Sequence, residues 1–138
     1  EHKISCNWND GMSFRAEVDG HELAIDADES VGGKDQGPRP KKLLLVGLAG
    51  CTGMDVVSIL RKMRVDLKDF KVSVSGNVTE DHPKYYDKMH ITYEFWGSSL
   101  PVDKIEKAIN LSQENYCGVS ALFSKGAVIS HEVKIYNA

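Results

Sequence analysis

The chain has 138 residues and a net charge of −3, with 41% apolar and 27% charged residues, which are the proportions of a folded globular protein and exclude a disordered chain. The composition is not strongly basic, which argues against a nucleic-acid partner. The three cysteines are an odd number without tight spacing. This pattern is not that of a secreted disulfide framework, so we expect the protein to reside in the reducing cytoplasm.

The N-terminal third predicts three antiparallel strands. Residues 3–8 and 12–18 alternate apolar and polar side chains, and a third strand over 21–27 follows the hairpin signal Asp19-Gly20. Cys6 shares a strand face with Ile4 and Trp8, so we expect Cys6 to be a core residue.

A glycine- and charge-rich loop over residues 28–40 leads into the apolar stretch around which we expect the rest of the fold to be organised. Loops of this length in compact domains are often functional. Pro40 to Arg64 has no proline after its first residue and predicts one helix of about 25 residues, roughly 37 Å long. The segment from Leu43 to Leu60 is apolar most of the way round, which indicates a buried helix. A membrane span is disfavoured because Asp55 would lie in the hydrocarbon.

Glycines recur inside this helix, where each costs about 1 kcal/mol relative to alanine. They predict that another element packs very close, with Cys51 in the middle of the close-packed zone. The glycines are Gly47, Gly50 and Gly53.

Two strands, a helix and a last strand are predicted after the central helix. Phe70–Val78 and Tyr86–Trp96 alternate, Val102–Tyr116 has helical period and ends at Cys117-Gly118, and Val128–Tyr136 alternates again. We expect residues 119–126 to form a short turn. The order β-β-β-α-β-β-α-β predicts an α+β fold and a single domain over residues 1–138.

Cys51 and Cys117 lie 66 residues apart, each on or at the end of a predicted helix. Free cysteines are often simply buried, so two structural cysteines are one interpretation. The other is a redox pair, in which one thiolate attacks and the second thiol resolves the product as a disulfide. His21, His82, His90 and His131 show no ligand spacing, so we expect no metal and no other cofactor.

Two segments carry a family resemblance. GLAGCTGMDVVSIL resembles the cysteine helix of the OsmC/Ohr family (osmotically inducible protein C / organic hydroperoxide resistance), and NYCGVSAL resembles its second-cysteine segment. GPRPKKLL at the start of the helix, the HPKYY turn and the element order also match. The similarity extends over nearly the whole chain.

The resemblance implies an OsmC-like fold: antiparallel sheets around two long central helices in an intertwined homodimer, with active sites at the subunit interface. Many family members are thiol peroxidases that reduce organic hydroperoxides. The resemblance makes Cys51 the peroxidatic cysteine and Cys117 the resolving one. Tyr116 and Phe123 near Cys117, with Leu48 and Met54 near Cys51, would line an apolar pocket.

Attack on a peroxide needs a thiolate, and an apolar site disfavours one. A cation from a loop or from the partner chain is therefore needed, and the candidates are Arg39 and Arg15. The family often holds an essential arginine with a glutamate in a Pro-x-Glu-Leu segment, but Lys42 occupies that position here. Asp55 lies at i+4 from Cys51, where a carboxylate would oppose a thiolate.

The main functional hypothesis is a cytoplasmic homodimeric peroxidase that acts on organic hydroperoxides and is reduced by a dithiol, without nucleic-acid or membrane partners. The first alternative is a non-catalytic module of the same fold that binds an apolar small molecule between subunits. The second is an interaction protein with structural cysteines.

Overall fold

A computed structural model describes all 138 residues and shows an α+β chain with two compact units, Glu1–Leu44 and Leu45–Ala138. The N-terminal unit holds a three-stranded antiparallel sheet, β1 (Ser5–Asp10), β2 (Ser13–Val18) and β3 (His21–Ile25), in the order β1-β2-β3. The predicted meander is therefore confirmed. The expectation for Cys6 is wrong: every residue of β1 is exposed in the single chain, so alternation there does not mark a buried face.

The loop after β3 is organised by one buried carboxylate. Asp26 accepts hydrogen bonds from the backbone N–H groups of Ala27, Lys34 and Gln36 at 2.7, 3.1 and 3.2 Å. A 3₁₀ turn, Glu29–Val31, lies within the loop. The loop is thus an ordered structure built on Asp26.

A second three-stranded sheet, in the order β4-β5-β6, forms the larger part of the C-terminal unit. Its strands are β4 (Asp69–Val78), β5 (Tyr86–Gly97) and β6 (Val128–Asn137). β4 and β5 pair antiparallel, but β5 and β6 pair parallel, so this sheet is mixed and differs in that pair from the antiparallel sheets expected. Parallel strands need a crossover of a dozen or more residues, and the helical segment between β5 and β6 supplies it. The alternation predicted for β5 is confirmed, because one face is buried along its length.

The long helix α1 spans Lys42–Lys62, close to the predicted range. Its buried residues follow i, i+4 spacing and pack in one hydrophobic cluster with β5 and the following helix. The cluster comprises Leu48, Val56, Leu60, Tyr86, Met89, Ile91, Tyr93, Phe95, Ile105, Ala108, Ile109 and Cys117.

The opposite side of α1 is uncovered in the single chain, so the predicted burial of the helix is present on one side only. Val46 is 63% exposed and Met54 77% exposed. Of the three glycines, only Gly53 is closely approached: a Cβ there would meet Val72 at 3.4 Å, whereas a Cβ at Gly47 or Gly50 would meet nothing within 4 Å. Any close packing at those two positions must come from outside the single chain.

By length and composition alone, α1 is also apolar enough to cross a bilayer. This is weak evidence, because core helices of proteins that never enter a membrane have the same properties. The prediction of no membrane partner stays a prediction.

The crossover between β5 and β6 contains α2 (Val102–Leu111), a π-helical turn (Ser112–Tyr116) and α3 (Gly118–Phe123). The single helix predicted over 102–116 therefore ends in a widened turn, and α3 replaces the predicted short turn. The backbone is extended at Cys117, between the π-turn and α3, which confirms the predicted break at Cys117-Gly118.

Candidate functional site

Cys51 lies in the middle of α1, at the edge of its buried face. Its side chain is half-buried and packs against the hydrophobic cluster. Asp55 lies one turn further along α1 on the same face, because residues four apart are neighbours on a helix. Its side chain is also half-buried. The helix thus presents a thiol and a carboxylate side by side.

Cys117 is placed by the two turns that flank it. Its backbone N–H donates to the carbonyl of Ser112 at 2.7 Å and closes the π-turn. Its Sγ accepts the N–H of Ser120 at 3.3 Å and caps the first turn of α3. π-helical turns are rare in proteins overall, but those that occur often lie at functional sites. Here the turn fixes the thiol against α1, where Cys117 is 3% exposed.

The two predicted cysteines and Asp55 come together in the structure. The sulfur atoms of Cys51 and Cys117 and a carboxylate oxygen of Asp55 all lie within 4.8 Å of one another. Both thiols are free. Two thiols and a carboxylate are a group of side chains that could hold a metal ion, and the expectation that none is required stays a prediction.

The two thiols are not equivalent. Burial, opposed in part by the N–H of Ser120 and reinforced by the adjacent Cys51, raises the pKa of Cys117 to about 11. At pH 7 a thiol whose pKa is raised this far is almost entirely protonated. Cys117 is therefore a protonated thiol in the resting chain and has to lose its proton before it can act as a nucleophile.

A buried polar network supports the thiol pair. The hydroxyl of Thr52 lies 2.7 Å from the Tyr93 hydroxyl and 2.9 Å from the Ser112 hydroxyl. Gln113 donates to Thr52 at 3.0 Å and to Tyr93 at 3.1 Å, and accepts from the Ser120 hydroxyl at 2.7 Å. No buried side-chain polar atom is left without a partner.

The network ends at the thiol pair. Ser112 donates to Asp55 at 2.9 Å, and the backbone of Ser120 donates to the sulfur of Cys117. Sequence reasoning missed these residues. The available signal was the presence of Thr52 and Ser112 at positions where the helical pattern otherwise places apolar side chains.

Comparison with known proteins assigns the family. The sequence model described as "OsmC-like protein" matches residues 33–132, which is most of the chain. The chain belongs to the OsmC-like family. It is 30% identical over 132 residues to Protein YhfA of Escherichia coli K12, covering 95% of this chain and 96% of that protein.

Solved structures share the fold of this chain. A hypothetical protein from Aquifex aeolicus superposes with a TM-score of 0.84 at 31% identity, covering 99% of this chain and 98% of that one. The organic hydroperoxide resistance protein OhrB of Bacillus subtilis superposes with a TM-score of 0.69 at 14% identity over 97% of this chain and 98% of that one. The second likeness shows the fold alone.

The predicted cations of this OsmC-like chain both have carboxylate partners in the N-terminal unit. The Arg39 guanidinium donates to Asp35, to Asp28 at 3.2 Å and to the carbonyl of Gly37 at 3.3 Å. The hydrogen bond with Asp35 is the largest of the causes that raise the pKa of Arg39. Arg15 makes one contact, at 3.5 Å, with Glu22 on the next strand.

The side chain of Arg39 is 32% exposed and that of Arg15 is 58% exposed. The family resemblance predicts a glutamate near the start of the helix that holds an arginine. In this chain Asp28 and Asp35 hold Arg39, while Lys42 in the glutamate position is exposed.

The apolar pocket expected around the thiols is only partly present. Leu48 and Phe123 pack in the same cluster as the cysteines, but Tyr116 and Met54 are 62% and 77% exposed. The hollow that the structure shows beside Asp55 is open and has a volume of about 500 Å³. It is lined by Asp55, Ser58, Ile59, Lys62, Met63, Leu111 and Tyr116.

Proposed function

We propose that this chain is a thiol peroxidase that reduces organic hydroperoxides at Cys51 and regenerates through a disulfide with Cys117. The observation that carries the proposal is the approach of two free sulfur atoms to within 4.8 Å from separate elements, in a chain of the OsmC-like family. A disulfide needs Cα atoms about 4.4–6.8 Å apart, and we expect Cys51 and Cys117 to reach that range with at most a small movement of the loop.

The first half-reaction oxidises Cys51. Its thiolate attacks the outer oxygen of the hydroperoxide, an S–O bond forms, the O–O bond breaks, and the alkoxide takes a proton and leaves as the alcohol. The product is a Cys51 sulfenic acid. Assigning this step to Cys51 agrees with its half-buried position, whereas Cys117 is almost fully buried and has a raised pKa.

The second half-reaction joins the two sulfurs. Cys117 attacks the sulfur of the Cys51 sulfenic acid, water leaves, and a cellular dithiol then reduces the disulfide by exchange. No metal or organic cofactor takes part in either step. We propose that Arg39 stabilises the Cys51 thiolate, because two carboxylates already fix its guanidinium.

We further propose that the OsmC-like protein is a cytoplasmic homodimer and that residues 1–138 act as one domain. The uncovered apolar side of α1 supports the dimer. The match to the Aquifex aeolicus structure along 99% of the chain supports the single domain.

The proposed activity is tested with cumene hydroperoxide and a dithiol. Wild type should consume the hydroperoxide, and mass spectrometry should show a Cys51–Cys117 disulfide when the dithiol is absent. Cys51→Ser should abolish turnover, whereas Cys6→Ser is the matched control and should retain it. Equal slow consumption by wild type and Cys51→Ser, with Cys51 unmodified, would contradict the proposal.

A second candidate function is the binding of an apolar small molecule. An open, mainly apolar cavity of about 650 Å³ lies along α1 and the adjoining strand β4, with Arg61 and Lys62 among its lining residues. Such a site suits an apolar ligand with an acidic head group. A ligand that copurifies with the protein, together with a Cys51 inert to hydroperoxide, would favour this function over the peroxidase.

A further inference from the structure

A carboxylate beside two reactive sulfurs needs a physical reason. An anion at Asp55 opposes a thiolate on Cys51 by charge repulsion. None of the ion pairs in the structure involves Asp55, so no salt bridge within the chain offsets this effect. The Ser112 hydroxyl nevertheless holds Asp55 at 2.9 Å, with its carboxylate within 4.8 Å of both sulfurs. The chain thus keeps a carboxyl group beside both thiols.

The resolution step is the one that needs such a base. Cys117 has to give up a proton to attack, and the hydroxyl on the Cys51 sulfenic acid has to gain one to leave as water. The proton donor and the proton acceptor are then on the two sulfur centres that Asp55 adjoins.

We propose that Asp55 is the general acid–base of the resolution step, which rests on the proposed function above. The Asp55 carboxylate takes the proton of the Cys117 thiol as the Cys117 sulfur attacks the Cys51 sulfur. The S–S bond forms, the S–O bond breaks with its electron pair on oxygen, and Asp55 returns the proton to that oxygen. One water leaves, no other reactant is consumed, and the carboxylate is regenerated.

The surroundings of Asp55 fit both proton transfers. A separation of up to 4.8 Å admits one bridging water or a direct contact after a small side-chain rotation, and such contacts commonly tighten only in the reacting complex. The open hollow beside Asp55 gives the released water an exit. The raised pKa of Cys117 explains why resolution without a base would be slow at neutral pH.

The experiment separates the two half-reactions. One equivalent of cumene hydroperoxide is added to the reduced full-length protein, and the Cys51 sulfenic acid is trapped with dimedone at successive times and quantified by mass spectrometry. In Asp55→Asn the sulfenic acid should form at least as fast as in wild type but disappear about 100-fold more slowly, the size typical of losing a general base. Excess hydroperoxide should then convert it to sulfinic acid.

Three further variants serve as controls for this result. Cys117→Ser should accumulate the same sulfenic acid, because it lacks the attacking thiol. Asp66→Asn, at an exposed aspartate in the turn after α1, should resolve as wild type does. Asp55→Glu should recover part of the rate, because it keeps a carboxylate near both sulfurs.

A pH profile gives a readout that a structural role would not change. Wild-type resolution should be nearly constant between about pH 6 and 8.5. In Asp55→Asn it should rise about tenfold per pH unit, because only the ionised fraction of Cys117 reacts. The other titratable groups facing Asp55 are Cys51 and Lys62 on α1, Tyr93 on β5 and Tyr116 in the π-turn.

Two outcomes distinguish the failure of this inference from that of the proposed function. A sulfenic acid that forms in wild type and is resolved equally fast in Asp55→Asn would overturn the role of Asp55 alone. A wild-type Cys51 that stays a thiol would overturn the peroxidase and this role together. If Asp55→Asn does not fold, a tenfold rise of wild-type resolution per pH unit would overturn the role by itself.

Discussion

Arg39 and Arg15 differ in how firmly each guanidinium is held, and this makes the identity of the activating cation testable. Arg39→Ala should slow oxidation of Cys51 by about 100-fold, since a positioned cation near a developing or reactive anion typically contributes that much. Arg15→Ala, whose single contact with Glu22 is exposed, should react much as wild type does. The measurement is the stopped-flow rate of thiol loss with cumene hydroperoxide. The reverse pattern would assign the role to Arg15, and normal rates in both variants would place the cation elsewhere.

The ionisation of Asp26 sets the lowest pH at which the loop that carries Arg39 keeps its full stability. Hydrogen bonds from backbone N–H groups, that of Ala27 first, lower the pKa of Asp26. A carboxyl group with a lowered folded-state pKa adds stability above its unfolded value, near 3.9, and loses it as the pH falls through the folded value. We therefore expect the loop to be most stable above about pH 4 and to loosen under more acidic conditions.

The matched measurement is the hydrogen-exchange protection of the Lys34 and Gln36 amides. At pH 7 it should be lower in Asp26→Asn than in wild type, because the new NH₂ group faces backbone donors instead of accepting from them. The difference should shrink below about pH 4. Asp19→Asn, at an exposed turn position that asparagine tolerates, is the control and should match wild type. Equal protection in Asp26→Asn and wild type at pH 7 would contradict the role of Asp26.

At the scale of elements, one buried hydroxyl joins α1, β5 and the π-turn by hydrogen bonds. Thr52 is fully buried, and its hydroxyl forms hydrogen bonds with Tyr93, Ser112 and Gln113. Thr52→Val keeps the shape but leaves buried polar partners unsatisfied, so it should lower the free energy of unfolding by about 1–3 kcal/mol. Urea denaturation measures the loss.

Thr92→Val is the control for this prediction. Thr92 lies on the other face of β5, where its hydroxyl makes one 3.3 Å contact with Glu132. Its replacement should change the free energy of unfolding by less than about 0.5 kcal/mol. Equal losses in the two variants would mean that the buried network adds no more than an exposed contact does.

Periodicity predicted the elements well but not the relative direction of β5 and β6. The alternation of Met89, Ile91, Tyr93 and Phe95 identified the buried face of β5, because side chains in a strand alternate regardless of its partner. The same alternation in β6 says nothing about strand direction, so the parallel pairing with β5 was missed. The π-turn was missed because it depends on one backbone hydrogen bond, from Cys117 to Ser112, that leaves no mark in the hydrophobic pattern.

The candidate site was predictable to a different degree. Cys51 and Cys117 followed from a family resemblance, and their positions together agree with it. Thr52 and Ser112 left only the signal of a polar side chain on an otherwise apolar helix face, and Gln113 left none, because a polar residue on a helix is ordinarily exposed. Alternation also failed for Cys6, since a strand of a small open sheet can alternate with both faces exposed.

For the whole molecule, the uncovered side of α1 predicts the assembly. Exposed Val46 and Met54, with open space above Gly47 and Gly50, form an apolar surface on α1, and contiguous exposed apolar surface marks interaction sites. We expect a homodimer with a total interface above roughly 2,000 Å². Analytical ultracentrifugation at micromolar concentration should give a dimer, and a monomer would contradict the prediction.

A charge placed on this surface should weaken the dimer. Met54→Glu is expected to raise the dissociation constant at least about 100-fold, because a buried charge without a partner is costly. Val102→Glu adds the same charge at the 52% exposed first residue of α2 and serves as the control, with the dimer expected to persist. A Met54→Glu protein that remains as dimeric as the control would show that α1 lies outside the interface.

The sulfur that caps α3 has a further consequence. The Ser120 N–H donates to the Cys117 thiol, and that sulfur is the atom proposed to enter the disulfide. Once the sulfur turns toward Cys51, the amide loses its acceptor, and the first turn of α3 loses its cap. The ¹⁵N–¹H resonance of Ser120 should therefore move between reduced and oxidised protein, so that NMR can follow the redox state of the chain without an added dye or label.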